Sequence, residues 1–302
     1  MKPLWLRRKL PDPEALQKMR GLLQLYGLNT VCEGALCPNR GECFNQGTAT
    51  FLILGRTCTR NCTFCAIPSE ERPPAPDPRE PRRIAEAASA LGLTHVVVTS
   101  VTRDDLKDGG AGHFATTVRA LKESQPAIAV EVLIPDFQGS LGSLKIVVDS
   151  GPDIINHNVE TVPRLYPEVR PQADYRRSLR LLREVKEIHP VKVTKSGLML
   201  GLGEEKDEVL TVMNDLREIS CDLLTLGQYL QPSGKHHPVL RYVPPEEFEE
   251  LRCHGEKMGF KSVFSAPLVR SSFHAAEVFK KINSATEVAE STEKNKSKIK
   301  MT

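Results

Sequence analysis

The sequence lacks an excess of charge of either sign, and it lacks long hydrophobic runs. Among its 302 residues, 41 are basic and 38 are acidic, so the net charge of +3 is too close to balance to indicate a nucleic-acid-binding surface. The longer apolar stretches, such as residues 95–100 and 127–135, are much shorter than the roughly 20 residues that cross a bilayer. We therefore expect no nucleic acid and no membrane among the binding partners.

The amino terminus also lacks the features of a secretory signal. Residues 1–10 are basic, but they contain no apolar core and no cleavage site of small residues. Hydrophobic residues make up 40% of the chain and charged residues 26%, which excludes collagen-like and wholly disordered proteins. The composition therefore predicts a cytoplasmic globular protein that is long enough to bury a large core.

Cysteine, by contrast, is concentrated in one short segment. Six of the eight cysteines form two triplets, which are Cys32, Cys37 and Cys43 (C-x4-C-x5-C) and Cys58, Cys62 and Cys65 (C-x3-C-x2-C). Disulfide-rich scaffolds are usually short secreted chains, and neither triplet has the paired C-x2-C blocks of a structural zinc site. Thiolates are the usual ligands of iron–sulfur clusters, which normally take four, so each triplet is one ligand short. A [4Fe–4S] cluster with three thiolates leaves one iron open to a substrate or cofactor; a buried cysteine cluster or an incomplete zinc site is the alternative.

The second triplet resembles the cluster loop of the radical S-adenosylmethionine enzymes. Residues 58–65 read C-T-R-N-C-T-F-C, in which the aromatic Phe64 precedes the last cysteine as it does in that superfamily. The resemblance implies that the open iron of a [4Fe–4S] cluster binds S-adenosylmethionine. It also implies that the reduced cluster cleaves this cofactor to a 5′-deoxyadenosyl radical.

Downstream of residue 49, predicted strands alternate with predicted helices. The strands are expected at residues 50–55, 96–99, 128–134, 153–159, 191–200 and 223–230. The helices are expected near residues 84–91, 112–124, 140–149, 175–188, 209–219 and 245–258. This α/β alternation predicts a parallel sheet that is either open or curled into a partial barrel. The superfamily resemblance implies a partial (β/α)6 TIM-like barrel, which an amino-terminal and a carboxyl-terminal extension flank in this chain.

The sequence divides into four predicted parts. Residues 1–48 form an amino-terminal extension that carries the first triplet, and residues 49–265 form the barrel. Residues 266–283 form a carboxyl-terminal segment that contains Ser271 and Ser272. Residues 284–302 are rich in Lys, Glu, Ser, Thr and Asn, which is typical of a disordered tail.

Active sites of parallel barrels lie at the carboxyl ends of the strands, and the unusual residues of this sequence follow the predicted strands. The candidate contacts to the cofactor are Phe64, Ser100, Asp104, Asp105, Gly109, Gly110, Asn156, Gly201 and Glu204. Residues 197–204 fit G-x-[IM]-x-G-x-x-E, which resembles the adenine-binding motif of the superfamily. Residues 109–110 resemble the backbone edge that receives the methionine amine. Ordinary turns at the glycines and solvated loops at the polar residues are the alternatives.

Four histidines lie in polar loops. They are His157, His236, His237 and His274. A hydrogen-bonded loop side chain is the favoured interpretation of each, with a catalytic role as the alternative. Radical abstraction from an unactivated C–H bond needs no general base.

The first triplet and its neighbours resemble the lipoyl synthase family. Residues 32–44 are similar to the family's amino-terminal cysteine element, and the resemblance extends over residues 25–280. Further matching segments are residues 99–110, 160–166, 196–204, 226–232 and 270–275. The family implies that a serine oxygen from its R-S-S-aromatic element is the fourth ligand of the auxiliary cluster, here Ser272, with Ser271 as the alternative. The sequence has Phe44, Phe273 and His237 where the family usually has Trp, Tyr and Leu, and none of these is a cluster ligand.

The same resemblance implies a reaction and its partners. Two sulfur atoms would be inserted, at carbons six and eight, into an octanoyl chain amide-linked to a lysine of a lipoyl carrier domain of a 2-oxoacid dehydrogenase or of the glycine cleavage H protein. The implied cofactors are two [4Fe–4S] clusters and two molecules of S-adenosyl-L-methionine per product, with the auxiliary cluster as sulfur donor. An electron donor such as ferredoxin or flavodoxin and a cluster-repair carrier are also expected. The second triplet and Ser272 would be the catalytic groups.

Two other functions fit part of the sequence. A nucleic-acid methylthiotransferase also has two clusters, but it should carry an additional basic RNA-binding domain. An electron carrier of the ferredoxin type would need only the cysteines. The predicted barrel and the cofactor motifs argue against that second alternative.

Overall fold

The computed structural model describes residues 2–7, 12–45, 50–272 and 275 of the chain. Its α-helices are α1 (Pro13–Leu25), α2 (Val31–Gly34), α3 (Arg40–Asn45), α4 (Glu80–Ala90), α5 (Ala111–Ser124), α6 (Leu141–Asp149), α7 (Tyr166–Val169), α8 (Tyr175–Ile188), α9 (Lys206–Glu218) and α10 (Pro245–Lys257). Its strands are β1 (Asn29–Thr30), β2 (Thr50–Ile53), β3 (His95–Ser100), β4 (Ala129–Leu133), β5 (Ile154–Asn156), β6 (Val193–Leu200), β7 (Leu223–Gln228) and β8 (Ser262–Ser265). Short 3-10 helices cover Leu4–Leu6, Phe137–Gly139 and Pro163–Leu165. The tail predicted at 284–302 lies outside the described residues.

The strands of the described chain form one eight-stranded sheet, in which the spatial order follows the sequence from β1 to β8. β1 pairs with β2 in antiparallel orientation, and every other neighbouring pair is parallel. Within the described residues β1 and β8 are the two edges, so the sheet does not close on itself. The predicted partial barrel of parallel strands is thereby confirmed.

The six predicted strands correspond to β2–β7, and the sheet extends beyond them at both edges. The sequence predicts neither β1 nor β8, because both are too short to show a clear pattern of apolar residues. β5 is shorter than the predicted range 153–159. The chain leaves the sheet after Asn156 and returns for an isolated parallel bridge between Glu160 and Leu198.

The central strands are buried on both faces, as expected for a parallel sheet that is covered by helices. Every residue of β3 except Ser100 is buried. In α8, Leu181, Leu182 and Val185 are buried against the sheet, and the side chain of Asp174 caps the helix by accepting a hydrogen bond from Arg177 N. In the part of the chain that is described, no helix combines the length and the apolar character needed to traverse a bilayer.

The amino-terminal segment packs on the same hydrophobic core as the barrel. Met19 and Leu23 of α1 and Phe44 of α3 are buried in the cluster that also contains Phe51 of β2. This packing holds α2, which carries Cys32, and α3, which carries Cys43, against the sheet, with Cys37 in the connection between them.

Candidate active site

A cavity of about 630 Å³ lies at the carboxyl ends of the strands. The cysteines of both triplets line it, namely Cys32, Cys37, Cys43, Cys58, Cys62 and Cys65. Phe64, Ser100, Ser271 and Ser272 line the same cavity. The fold therefore brings both triplets and the carboxyl-terminal serines into one chamber, although the serines are far from the triplets in the sequence.

The loop of the second triplet begins at a fixed turn after β2. Leu54 has a φ of +68°, in the left-handed region that non-glycine residues rarely adopt. Its N–H donates to Glu80 Oε2 at 2.9 Å, and its carbonyl oxygen accepts from Arg103 Nη1 at 3.1 Å. Because Glu80 and Arg103 are both buried, they hold this turn, and with it the start of the cysteine loop, in one conformation.

Backbone N–H groups point at the sulfur of Cys58. Cys58 Sγ accepts hydrogen bonds from the backbone nitrogens of Arg60 at 3.4 Å and Thr102 at 3.3 Å. Thr59 N also donates to Thr102 O at 3.0 Å, which ties the cysteine loop to the loop after β3. Hydrogen bonds to a ligand sulfur stabilise its thiolate form and tune an iron–sulfur centre.

Arg60, inside the cysteine loop, forms two bidentate ion pairs. Its guanidinium donates to Asp104 at 2.6 and 3.0 Å and to Asp136 at 2.6 and 3.0 Å. Burial alone would raise the pKa of Asp136, but the hydrogen bonds from Arg60 outweigh that effect and hold this pKa well below its usual range. Asp104 therefore anchors the loop, while Asp105 pairs with Arg103 at 2.8 Å.

Burial makes three of the cavity thiols weak acids. It raises the pKa of Cys32 to about 11 and the pKa of Cys65 to about 12. Burial also raises the pKa of Cys62, although the positive charge of Arg170 acts in the opposite direction. Such thiols give up their protons to a bound metal centre rather than to water. The cysteines form no disulfide bonds, so their sulfurs are available as ligands.

The first triplet is held by two short helices. Thr30 caps α2, which carries Cys32, and Cys37 N donates to Cys32 O at 3.1 Å. Cys43 lies in α3. In the described residues, no three His, Cys, Asp or Glu side chains are placed to hold a single metal ion. Thiolates are the usual ligands of iron–sulfur clusters, and the donors of this triplet are of that kind.

The carboxyl-terminal serines reach the cavity because residues 266–272 cross the end of β7. A Cβ atom at Gly227 would lie 2.1 Å from the carbonyl oxygen of Val269, so a side chain there would displace the segment. Ser271 Oγ accepts a hydrogen bond from Asn158 Nδ2 at 3.1 Å. Ser271 is thereby tied to the loop after β5, beside the cavity.

Comparison with known proteins agrees with this arrangement. The family model of the Radical SAM superfamily matches residues 52–216. A lipoyl synthase from Caldanaerobacter subterraneus subsp. tengcongensis is 58% identical over 275 residues, which cover 91% of this chain and 95% of the relative. A lipoyl synthase from Trichlorobacter lovleyi is also 58% identical over 275 residues, which cover 91% and 97%. The chain belongs to the lipoyl synthase family.

Two solved structures share the fold at low sequence identity. Methylornithine synthase (PylB) superposes with a TM-score of 0.53 and 15% identity, covering 85% of this chain and 76% of that chain. HydG, a maturase of the [FeFe]-hydrogenase, superposes with a TM-score of 0.54 and 16% identity, covering 85% and 56%. At these identities the likeness concerns the fold alone, and it agrees with the open parallel barrel.

Membership of the lipoyl synthase family makes the chain a radical S-adenosylmethionine sulfurtransferase. Its cofactors are S-adenosylmethionine and [4Fe–4S] clusters, one of which is auxiliary. The six cysteines around one cavity are not in disulfide bonds, and their sulfurs fit these groups in chemistry.

Among the described residues, seven candidate cofactor contacts do not line the cavity. They are Asp104, Asp105, Gly109, Gly110, Asn156, Gly201 and Glu204. Gly110 ends the turn before α5, and Asn156 Nδ2 donates to Glu131 Oε1 at 3.0 Å inside the barrel. Phe64 and Ser100 do line the cavity, where Ser100 Oγ is buried without a hydrogen-bond partner. The cofactor contacts of the whole set stay a prediction.

Gly201 is required by local packing, whatever its relation to the cofactor. Its φ is +99°, and a Cβ atom would lie 2.2 Å from Gln228 Nε2 and 2.3 Å from the carbonyl oxygen of Arg241. Glu204 Oε1 also accepts a hydrogen bond from Gly201 N at 2.6 Å. The glycine of this motif therefore fixes the turn after β6.

We expect Gly201→Ala to destabilise the protein more than Gly151→Ala, as measured by thermal unfolding without S-adenosylmethionine. The left-handed backbone alone costs about 1–2 kcal/mol for a residue with a Cβ atom, and the clash at Gly201 adds to it. Gly151 has a φ of +85° and nothing within 4 Å of its Cβ position, so it isolates the backbone cost. An equal loss of thermal stability in the two variants would show that packing does not require glycine at position 201.

Two charged side chains of the cavity, Glu160 and Arg170, are absent from the sequence-based candidates. Arg170 Nη1 donates to the carbonyl oxygens of Asn158 at 3.0 Å and Val159 at 3.1 Å, and Asn158 Nδ2 donates to Glu160 Oε1 at 3.1 Å. Burial raises the pKa of Glu160, while Arg170 opposes this shift. The run N-H-N-V-E-T at 156–161, at the carboxyl end of the strand predicted at 153–159, is the signal that could have identified Glu160.

The described loop histidines make hydrogen bonds. His236 Nε2 lies 3.0 Å from Cys65 O, and His237 Nε2 lies 2.9 Å from Leu202 O. Both contacts secure the loop after β7 against neighbouring loops of the site. His274 lies outside the described residues.

His157 is buried, with Nδ1 2.8 Å from Ile134 O and Nε2 3.0 Å from Ser178 Oγ. Burial lowers its pKa from 6.5 to about 4. Between these values the unfolded chain binds a proton that the folded chain does not, so stability from this group is complete above pH 6.5 and is lost as the pH falls. From pH 7 to pH 5 the expected loss is about 2 kcal/mol.

We expect His157→Gln to reduce this pH dependence of the free energy of unfolding. Urea titrations of the wild type and the variant at pH 7 and pH 5 measure it. If the free energy of unfolding fell by the same amount from pH 7 to pH 5 in both proteins, the assignment of the effect to His157 would be contradicted.

Proposed function

We propose that the two cysteine triplets hold two clusters in one cavity and that the chain inserts two sulfur atoms, at carbons six and eight, into an octanoyl chain on a carrier lysine. The observation that supports this most strongly is that both triplets and Ser272 line a single cavity of about 630 Å³. A shared cavity can hold one carbon chain within reach of both clusters. The reacting groups are then already positioned and need not meet by diffusion.

The two triplets have different roles in this proposal. Cys58, Cys62 and Cys65 hold the radical-generating cluster, and the first triplet together with Ser272 holds the auxiliary cluster. When bound, these groups supply the electron that cleaves S-adenosylmethionine to a 5′-deoxyadenosyl radical and the sulfur that is transferred. A serine oxygen is a harder donor than thiolate and holds iron less firmly in a sulfur-rich centre, which suits a site that must release sulfur.

Apolar side chains form the wall that receives the octanoyl chain. They include Leu36, Val101, Ile134, Met199 and Leu230. Each CH₂ group buried against such a wall contributes about 0.8 kcal/mol. The same wall excludes water, which would otherwise react with an open radical. Leu36 is 60% exposed, so the cavity meets solvent on its side.

Polar groups in the cavity orient S-adenosylmethionine. Arg170 can pair with a carboxylate, and Glu160 can accept hydrogen bonds from hydroxyl or ammonium groups. Arg170 Nε and Asn158 Oδ1 are buried without hydrogen-bond partners in the described structure. Because buried polar atoms of native proteins are nearly always satisfied, these two atoms support the binding of a polar ligand.

The proposed partners are those that the family resemblance implies. The substrate is an octanoylated lipoyl domain of a 2-oxoacid dehydrogenase or the H protein of the glycine cleavage system. Ferredoxin or flavodoxin supplies the electrons, and a carrier protein rebuilds the auxiliary cluster. The eight cysteines are not in disulfide bonds, which supports a reducing compartment such as the cytoplasm.

An anaerobic assay tests the proposal. The iron-reconstituted protein is incubated with S-adenosylmethionine, a reductant and an octanoylated lipoyl domain. We expect 5′-deoxyadenosine and lipoyl-lysine from the wild type and from Cys253→Ser, a control whose thiol lies on α10 outside both triplets. Formation of 5′-deoxyadenosine without any sulfur on the carrier would contradict the proposal.

A further inference from the structure

The carboxyl-terminal segment, residues 266–272, is fixed at its start by β7. Gln228 N donates to Pro267 O at 3.1 Å, which pairs the segment with the last residue of the strand. Ser271 and Ser272, at the other end, line the cavity. The position of these serines therefore depends on what holds the middle of the segment.

Asn39 holds the middle of the segment. Its Nδ2 donates to the carbonyl oxygen of Leu268 at 2.7 Å, and the residue is only 1% exposed, although asparagine usually lies at the surface. Asn39 stands between Cys37 and Cys43 in the sequence, and Cys43 N donates to Asn39 O at 3.0 Å. One buried residue thus connects the first triplet with the segment that carries the serines.

We propose that Asn39 is a positioning residue of the auxiliary centre, because its amide fixes the serine segment relative to the sulfurs of Cys37 and Cys43. The inference rests on the proposed function, since it takes Ser272 as the fourth ligand. Val269 N donates to Ala266 O at 3.0 Å, so the backbone around Leu268 turns tightly and has little slack. A carbonyl held at Leu268 therefore restricts where Ser272 can lie.

The chemistry of the contact requires a short side chain with an N–H donor. Alanine at position 39 would leave the Leu268 carbonyl without this donor. Aspartate has the same size as asparagine but places an oxygen against the carbonyl oxygen, and two acceptors cannot form a hydrogen bond. The pair of variants separates the loss of the donor from the loss of volume.

The test uses anaerobically reconstituted holoenzyme of Asn39→Ala, Asn39→Asp and the matched control Asn214→Ala, whose side chain is exposed on α9. We expect amide hydrogen exchange in residues 266–272 to be about tenfold faster in both Asn39 variants, as for the loss of one buried hydrogen bond. Mössbauer spectra should show a larger share of auxiliary clusters that lack the corner iron. The yield of 5′-deoxyadenosine should stay at the wild-type level, and the control should match the wild type throughout.

Three results would overturn the proposal. The first is unchanged exchange in both Asn39 variants, and the second is faster exchange with an unchanged share of complete auxiliary clusters. The third is a parallel loss of 5′-deoxyadenosine formation, which indicates general disruption of the fold. Failure of the proposed function itself would give a different result. If the first triplet holds no auxiliary cluster, Cys37→Ala would contain as much iron as the wild type, whatever the Asn39 variants show.

Discussion

Replacing Cys62 by alanine is expected to reduce 5′-deoxyadenosine formation to background, because the cluster that binds S-adenosylmethionine loses one of its three thiolates. Replacing Cys37 by alanine is expected to leave measurable cofactor cleavage while stopping sulfur insertion. Cys62 and Cys37 line the same cavity but belong to different loops. Cys62 lies in the loop that Arg60 anchors, whereas Cys37 lies in the connection between α2 and α3.

Anaerobic iron analysis, quantification of 5′-deoxyadenosine and mass spectrometry of the carrier measure these effects. Each variant should retain about half of the wild-type iron, since one of two [4Fe–4S] clusters is lost. Cys253→Ser serves as the control for removing a thiol and should keep both clusters. Equal cofactor cleavage by Cys62→Ala and Cys37→Ala would refute the division of labour between the triplets.

Replacing Ser272 by alanine is expected to cut sulfur transfer sharply while cofactor cleavage continues. The radical-generating cluster keeps its three cysteines, but the auxiliary cluster loses the ligand of its corner iron. Ser272→Cys should keep that iron in place yet make it harder to release, because thiolate holds iron more firmly than a serine oxygen does. Mössbauer spectroscopy and the lipoyl yield distinguish the two variants.

Ser271→Ala is the matched control for the neighbouring serine. Ser271 Oγ accepts a hydrogen bond from Asn158 Nδ2 at 3.1 Å. Ser271→Ala removes this hydrogen bond and is expected to lower the free energy of unfolding by about 1 kcal/mol. Its effect on sulfur transfer should be smaller than that of Ser272→Ala. Wild-type yield from Ser272→Ala with a large loss in Ser271→Ala would move the ligand to Ser271, and wild-type yields from both would remove the serines from the site.

Much of the fold could be predicted because the sequence pattern repeats. A β-branched run such as Val96–Thr99, followed by an amphipathic helix, indicates a buried parallel strand and its covering helix, and this pattern recurs through β7. The two cysteine spacings were equally informative, because few kinds of site need three thiolates so close together. Both triplets accordingly meet in one cavity.

The orientation of individual loop side chains could not be predicted. The sequence predicts that Asp104 follows β3, but its ion pair with Arg60, which lies 44 residues away in the sequence, leaves no local signal. The packing of the Gln228 side chain and the Arg241 carbonyl oxygen around Gly201 leaves no local signal either, and the contact of Gly201 with the cofactor stays a prediction. Such partners are distant along the chain, and no local pattern encodes them.

The origin of the transferred sulfur shows whether the auxiliary cluster is the sulfur donor. The protein is reconstituted with iron and heavy-isotope sulfide, freed of unbound sulfide, and allowed one turnover with an octanoylated lipoyl domain and S-adenosylmethionine. We expect a lipoyl group that carries two heavy sulfur atoms in the wild type and no sulfur on the carrier with Cys37→Ala. A lipoyl group with sulfur of natural isotopic abundance, or a labelled product from Cys37→Ala, would contradict this expectation.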